Sequence, residues 1–222
     1  MLHKTKGVVF RFTKYGDTSI IVTIFTELFG LQSYIVNGVR SNSPRSKMAL
    51  YQPLTLLDLV VYHRENAGIM RIKEVRCLYA FQSLNKDVRK SSIAMFMNEI
   101  INKCIKEESH TSELCEFLIR SFISLDQMGE RVENFHLTFL IQLSRYLGFG
   151  PQNTNEVLGG RLVDVHEELV LKELLDSDAF FSNPIASSSR KNILDALIRF
   201  YSSHIDGFGD ARSVQVLHEI LS

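Results

Sequence analysis

Residues 16–47 read G-D-T-S-I-I-V-T-I-F-T-E-L-F-G-L-Q-S-Y-I-V-N-G-V-R-S-N-S-P-R-S-K, and their reading decides the fold. Two runs rich in Val, Ile, Thr, Phe and Tyr flank Leu28-Phe29-Gly30. That is the composition of half-buried pleated strands around a turn. The second run ends at Gly38 and passes into a loop holding Arg40, Arg45 and Lys47, with Ser, Asn and Pro between them and no acid. The stretch predicts a hairpin of a small barrel whose loop and adjoining face meet a polyanion. The plainer alternative is an ordinary hairpin with a solvated loop.

Working outward, the pattern of the first 80 residues stays β-like. Thr5 to Phe12 is a first strand, Tyr15-Gly16-Asp17 a turn, Thr18 to Thr26 a second strand and Leu31 to Val39 a third. Pro53 to Tyr62 is nearly continuous in apolar residues, like a strand covered on both faces, and Ile69 to Tyr79 is a fifth strand. Five short strands in this span predict a small barrel of the OB type, an architecture that commonly holds single-stranded nucleic acid.

From Asp87 the hydrophobic period changes from two to 3.6. Ile93, Phe96, Met97, Ile100, Ile101 and Cys104 mark one amphipathic helix. A second runs through Leu114, Cys115, Leu118, Phe122 and Leu125, with Thr111 or Ser112 as its cap. A third spans Val132 to Leu147 and is stopped by Gly148 and Pro151. Gly150 to Gly160 and Ser182 to Ser189 read as loops, and Leu162 to Leu175 as an extended piece through Val165 followed by a helix. Ile193 to Tyr201 is a further helix, and Val214 to Leu221 a last short one. The fold class is therefore α+β: a five-stranded OB-like barrel over 1–80, then an all-α part over 81–222, with a loop-rich segment at 148–189.

The chain has 222 residues and zero formal net charge, but the charge is unevenly spread. Met1 to Ala80 carries 11 Lys and Arg against 5 Asp and Glu, a net of +6, while the remainder carries 14 against 20, a net of −6. Such asymmetry points to a polyanion-facing front and a rear with a different task. No apolar run approaches the ~20 residues of a membrane span, and the N-terminus lacks a signal-peptide core, so a cytoplasmic protein without a membrane partner is expected. Cys77, Cys104 and Cys115 form no C-x-x-C pair, as suits reduced thiols.

The order G-V-V-F from Gly7, Y-G-D-T-S-I-I-V-T-I-F-T from Tyr15, G-L-Q-S-Y-I-V-N-G-V-R from Gly30 and Y-Q-P-L-T-L-L from Tyr51 resembles the bacterial RecO family. L-G-F-G-P at Leu147 and H-I-D-G-F-G at His204 continue the likeness to the C-terminus, with R-S-V-Q-V-L after it. The resemblance implies an N-terminal OB-fold and a helical C-terminal domain. It also implies a nucleoid-associated recombination mediator that binds single- and double-stranded DNA and anneals complementary strands. Its implied partners are RecR, single-stranded-DNA-binding protein and, indirectly, RecA. Many members of the family carry a four-cysteine zinc site just after the L-G-[FY]-x-P element. Gln152 to His166 contains no cysteine, so neither zinc nor any other cofactor is expected, and packing alone would hold this connection.

Phosphate neutralisation needs Lys and Arg spread along a surface. Lys4, Lys6, Arg11 and Lys14 lie on or near the first strand, Arg40, Arg45 and Lys47 after the third, and Arg64, Arg71, Lys73 and Arg76 near or on the fifth. Gly38-Val39-Arg40 and Lys47 fall where the family has its glycine–arginine element and basic loop, which makes Arg40 and Lys47 the leading candidates. Tyr15, Tyr34, Tyr51, Tyr62 and Phe12 are the rings available for base stacking, though core or rim is the commoner place for each. Among the helices, Lys103, Arg120, Arg131 and Arg145 are candidates for docking an acidic peptide tail. No G-x-x-x-x-G-K-[ST] or G-x-S-x-G element occurs, and the adjacent pairs Glu107-Glu108 and Glu167-Glu168 do not face one another on a helix. No enzymatic activity is expected. The alternative is a non-catalytic OB-type adaptor for protein or RNA.

Overall fold

In the computed structural model, residues 1–40, 48–64, 67–106, 112–161, 163–177, 179–180 and 183–222 are described. They form two compact units that interleave along the chain. One comprises Met1–Phe81 and Ile105–Ile123, the other Gln82–Cys104 and Ser124–Ser222.

The first unit is built on a closed barrel of β1 (Leu2–Tyr15), β2 (Ser19–Thr26), β3 (Gly30–Val36), β4 (Leu56–Tyr62) and β5 (Met70–Tyr79), in the order β1-β2-β3-β5-β4. All neighbours are antiparallel except β3 and β5, which run parallel through Tyr34–Met70 and Ile35–Arg71. Strand alternation puts Val9, Ile20, Val22, Ile24, Leu57 and Leu59 inside, where they are 1% exposed or less. A bulge between Val9 and Arg11 resets the face of β1, so Phe12 turns back to the core while Arg11 and Thr13 turn outward. Gly7 sits where the wall is tightest. A Cβ there would lie 2.7 Å from Ile24 Cγ2 and 3.0 Å from the Phe25 carbonyl oxygen.

Val8, Phe10, Phe25 and Leu56 lie on the outer side of the alternation, yet they are as buried as the interior. Phe10 and Phe25 stack at 5.7 Å, and Cys115 of α2 (Ser112–Gln127) brings its Sγ to 3.9 Å from the Phe25 carbonyl. Helix α2 through Ile123 thus belongs to the barrel's unit and covers part of its wall.

The second unit holds α1 (Val88–Cys104), α3 (Phe135–Tyr146), α4 (Thr154–Leu158), α5 (Val165–Asp176), α6 (Ser187–His204) and α7 (Ser213–Ile220). Its core comes from the predicted stripes: Ile93, Phe96, Ile100, Phe135, Phe139 and Leu140 are fully buried. Two polar devices fix its joints. Asp126 accepts from the backbone N–H groups of Gln82, Ser83 and Leu84, and the buried Lys90 ammonium donates to Ser83 Oγ and to the carbonyls of Asp126 and Met128. Glu99 on α1 accepts from the backbone of Arg212 and Ser213 at the start of α7.

Three expectations are corrected. Residues 150–160 are not all loop: Asn153 and Glu156 cap each other reciprocally and open α4, which Gly159 closes in the left-handed conformation. The connection is therefore held by hydrogen bonds as well as packing. The third strand ends at Val36 rather than Val39. Gly38 (φ 70°) turns the chain there, and Val39 drops into the barrel core. The extended piece expected through Val165 ends earlier, because Asp164 caps α5 at Val165.

Candidate nucleic-acid interface

The register places the predicted cations on two walls of the barrel, not one. On the first wall, Lys6, Asp58 and Arg76 face outward in one cross-strand row from β1 through β4 to β5. Lys4, Val60 and Glu74 form the next row. Basic and acidic side chains alternate there and offset one another locally. Lys73 falls in the bulge of β5 opposite the Val60/Val61 step and is exposed.

The second wall is made by the C-terminal half of β1, β2, β3 and the start of β5. Its outer rows are Arg11–Thr23–Ser33 and Thr13–Ile21–Ile35–Arg71. From Arg11 to Tyr15, Ser19 to Thr26 and Gly30 to Val36 there is no acidic residue. At about 4.8 Å per strand, β1 and β5 stand roughly 14 Å apart along this wall, with Arg11 one outward row away from Arg71. Lys14 pairs with the core residue Ile20 at the end of β1, so it projects from the rim that the second wall shares. A single row of outward residues runs on around the closed barrel, because Arg71 is also paired with Tyr62, and Tyr62 with Leu2. Arg71 therefore belongs to both walls.

Arg40 lies at the same rim. Its backbone N–H donates to the Thr18 carbonyl at 3.0 Å and its guanidinium to the Gly16 carbonyl at 3.0 Å. It ties the segment after β3 to the β1–β2 turn, with the rest of its donor fork free to face solvent. Arg45 and Lys47, by contrast, lie outside the described residues. Arg64 is exposed at the end of β4.

The structure sorts the aromatic candidates. Tyr34 and Tyr51 are core residues at 0% and 2% exposure, which removes them as stacking platforms. Burial pushes the Tyr51 phenol up to about 12 and raises that of Tyr34 as well. Phe12 packs against the barrel core. Tyr15 and Tyr62 remain, 53% and 48% exposed.

The helical candidates differ in their surroundings. Lys103 donates to the Phe208 carbonyl at 2.9 Å and lies over the Phe208 ring, and Arg145 donates to the Leu175 carbonyl. Both brace the chain, as their long stems and multiple donors allow. Arg120 and Arg131 are exposed, the former on α2 in the barrel's unit, the latter in a left-handed turn at φ 66°.

Of the adjacent acidic pairs, the described one is engaged structurally. Glu167 accepts from Asn192 and Glu168 from Thr154, while Glu107 and Glu108 lie outside the described residues. Burial first, then Arg190 and His218, pushes His136 down to about 3, which keeps it neutral. An open cleft of about 530 Å³ among α4, α5 and α6, with Arg161, Glu167, Asp195 and Arg199 on its walls, had no signal in the sequence, because its residues come from three separated segments. Among the described residues no group of three or more His, Cys, Asp or Glu is arranged to hold a metal, and no helix is long and apolar enough to cross a membrane.

Comparison with known proteins gives a consistent result. The family profile for the N terminal part of recombination protein O matches residues 1–81, and that for the C terminal part matches residues 85–168. A DNA repair protein RecO of Flavobacterium psychrophilum is 35% identical over 236 residues, covering 99% of this chain and 99% of the relative. That of Flavobacterium johnsoniae is 34% identical with the same coverage. One from Bacteroides fragilis is 39% identical over 165 residues, 74% of this chain and 68% of its own.

Proposed function

This chain belongs to the recombination protein O family, and on that premise we propose that it serves DNA repair as a recombination mediator. It binds single- and double-stranded DNA through the barrel, anneals complementary strands, and works with RecR to help load RecA onto DNA coated by single-stranded-DNA-binding protein. The step is physical rather than chemical. Two single strands repel because each is a polyanion. Holding both by their phosphates lowers that repulsion, and base pairing then selects the product.

The observation that carries this reading is the acid-free second wall, where Arg11 and Arg71 face outward and Lys14 and Arg40 stand at the rim. On the first wall, Asp58 sits between Lys6 and Arg76 and makes a poorer track for phosphate. The outward Thr13 and Ser33 add hydroxyl donors that suit a sugar–phosphate backbone of any sequence.

An annealing assay with complementary oligonucleotides, bare and coated with single-stranded-DNA-binding protein, tests this. The intact chain accelerates annealing in both cases. The double variant Arg11→Ala/Arg71→Ala binds single strands about tenfold or more weakly, and its log K against log salt slope is shallower by about 1.4, as two lost single-strand phosphate contacts require. Lys6→Ala/Arg76→Ala has the smaller effect. No binding of DNA by the intact chain overturns the proposal.

A further inference from the structure

Tyr62 ends β4 with its ring on the outside of the barrel, 48% exposed. Among the described residues it makes no hydrogen bond through its hydroxyl and contacts no other ring. Of the other barrel tyrosines, Tyr34 and Tyr51 are core, Tyr79 is half-buried and Tyr15 is exposed at the hairpin tip. Exposure alone carries no function, since single exposed rings are normal on a protein surface.

Its neighbours give the exposure a meaning. Tyr62 is directly paired on one side with Arg71 and on the other with Leu2. Side chains so paired stand about 5 Å apart, and the diagonal neighbour Lys4 lies within roughly 8 Å. Leu2 is itself 45% exposed and gives the ring an apolar shoulder. Arg71 is the residue shared by the two barrel walls. The ring is thus bordered by Arg71 directly beside it, on the outward row that carries the acid-free wall around the barrel, and one row on by Lys4 toward β1 and Glu74 toward β5. Phosphate donors flanking a free aromatic face are the arrangement that single-strand binding uses, with the backbone held by charge and a base laid on the ring. Charge complementarity favours a nucleic acid here over an apolar protein segment, which would have to desolvate Arg71 and Lys4.

We propose that Tyr62 is a base-stacking platform: an unpaired base of a bound strand lies on its ring while Arg71 and Lys4 take the adjoining phosphates. This rests on the DNA-binding reading of the barrel and adds to it a non-ionic contact at a defined place. A duplex keeps its bases stacked on one another and gains nothing from the ring, so the site also favours single over double strands.

The test is equilibrium binding of the full chain to a fluorescently labelled oligothymidylate and to an oligonucleotide of the same length made of abasic residues. The unmodified chain binds the abasic strand about tenfold more weakly than the base-bearing one. Tyr62→Ala weakens binding of the base-bearing strand about tenfold, leaves its salt slope unchanged, and removes the difference between the two strands. Tyr62→Phe keeps the ring and keeps the wild-type values. Tyr15→Ala, which removes an equally exposed ring beside Asp17 at the hairpin tip, has little effect. Equal affinity of the unmodified chain for the two strands overturns the inference, as does an equal loss in Tyr15→Ala, while the DNA-binding reading survives either result. Failure of the unmodified chain to bind either strand overturns the DNA-binding reading and this inference with it.

Discussion

The guanidinium of Arg40 donates to the carbonyl oxygen of Gly16 at 3.0 Å, so a leading cation of the sequence spends part of its donor fork on the protein's own backbone. The same residue's amide holds Thr18. Arg40 is therefore a brace for the β1–β2 turn as well as a charge at the rim. Arg40→Lys keeps the charge and loses the planar fork, which costs about 1 kcal/mol or less at an exposed bond. Its affinity for single strands falls a few-fold with the salt slope unchanged, and amide exchange around residues 16–18 quickens. Arg40→Ala loses both contributions, and its salt slope becomes shallower.

Gly7 offers a test of barrel packing. Its missing side chain makes room for Ile24 Cγ2 and the Phe25 carbonyl, and neither can retreat, because one is a branched core group and the other is backbone. Gly7→Ala is expected to cost about 1–3 kcal/mol, as overpacking does. The check is a lower urea midpoint with an unchanged slope.

Lys90 and Asp126 are coupled through Ser83. The Asp126 carboxylate takes three backbone N–H groups, and the Lys90 ammonium takes Ser83 Oγ with the Asp126 and Met128 carbonyls. Both side chains are 4% exposed or less. Asp126→Ala or Lys90→Met strands buried partners and is expected to destabilise by about 2–4 kcal/mol each. Because they share one site, the double variant costs less than the two singles together, which a thermodynamic cycle reads directly.

Glu99 gives a pH signature. Burial raises its pKa, but hydrogen bonds from the Ser213 side chain, from the Ser213 and Arg212 amides, and the charge of Lys103 together outweigh that and hold it below the ordinary value of 4.5. A carboxyl depressed in the folded state stabilises above its unfolded pKa, and that contribution is lost as pH falls through the folded value. Glu99→Gln is therefore less stable than the parent at neutral pH, by about 1 kcal/mol as for loss of a helix cap. The gap in melting temperature closes as the pH is taken below the carboxylate range.

Strands and long helices were legible because their periods differ and because the apolar stripes are nearly uninterrupted. Ile93 to Cys104 and Ile20 to Phe25 needed no tertiary information. What escaped was set by pairing between distant segments. Tyr34 and Tyr62 look alike in sequence, and only strand alternation plus closure sends one inward and the other out. Asn153 to Gly159 is polar and glycine-rich, so its capping box read as a loop. The division of cations into a mixed wall and an acid-free wall depended on Asp58 standing opposite both Lys6 and Arg76, which no local pattern encodes.

Between β3 and β5 only Tyr34–Met70 and Ile35–Arg71 are in register, whereas each remaining pair of neighbouring strands is matched over most of its length. This is the shortest zipper of the barrel, and local opening is expected to begin there. Arg71 is one of its teeth. A phosphate gripped by Arg71 would keep that zipper shut, so a polymer bound there would also tighten the fold beneath it.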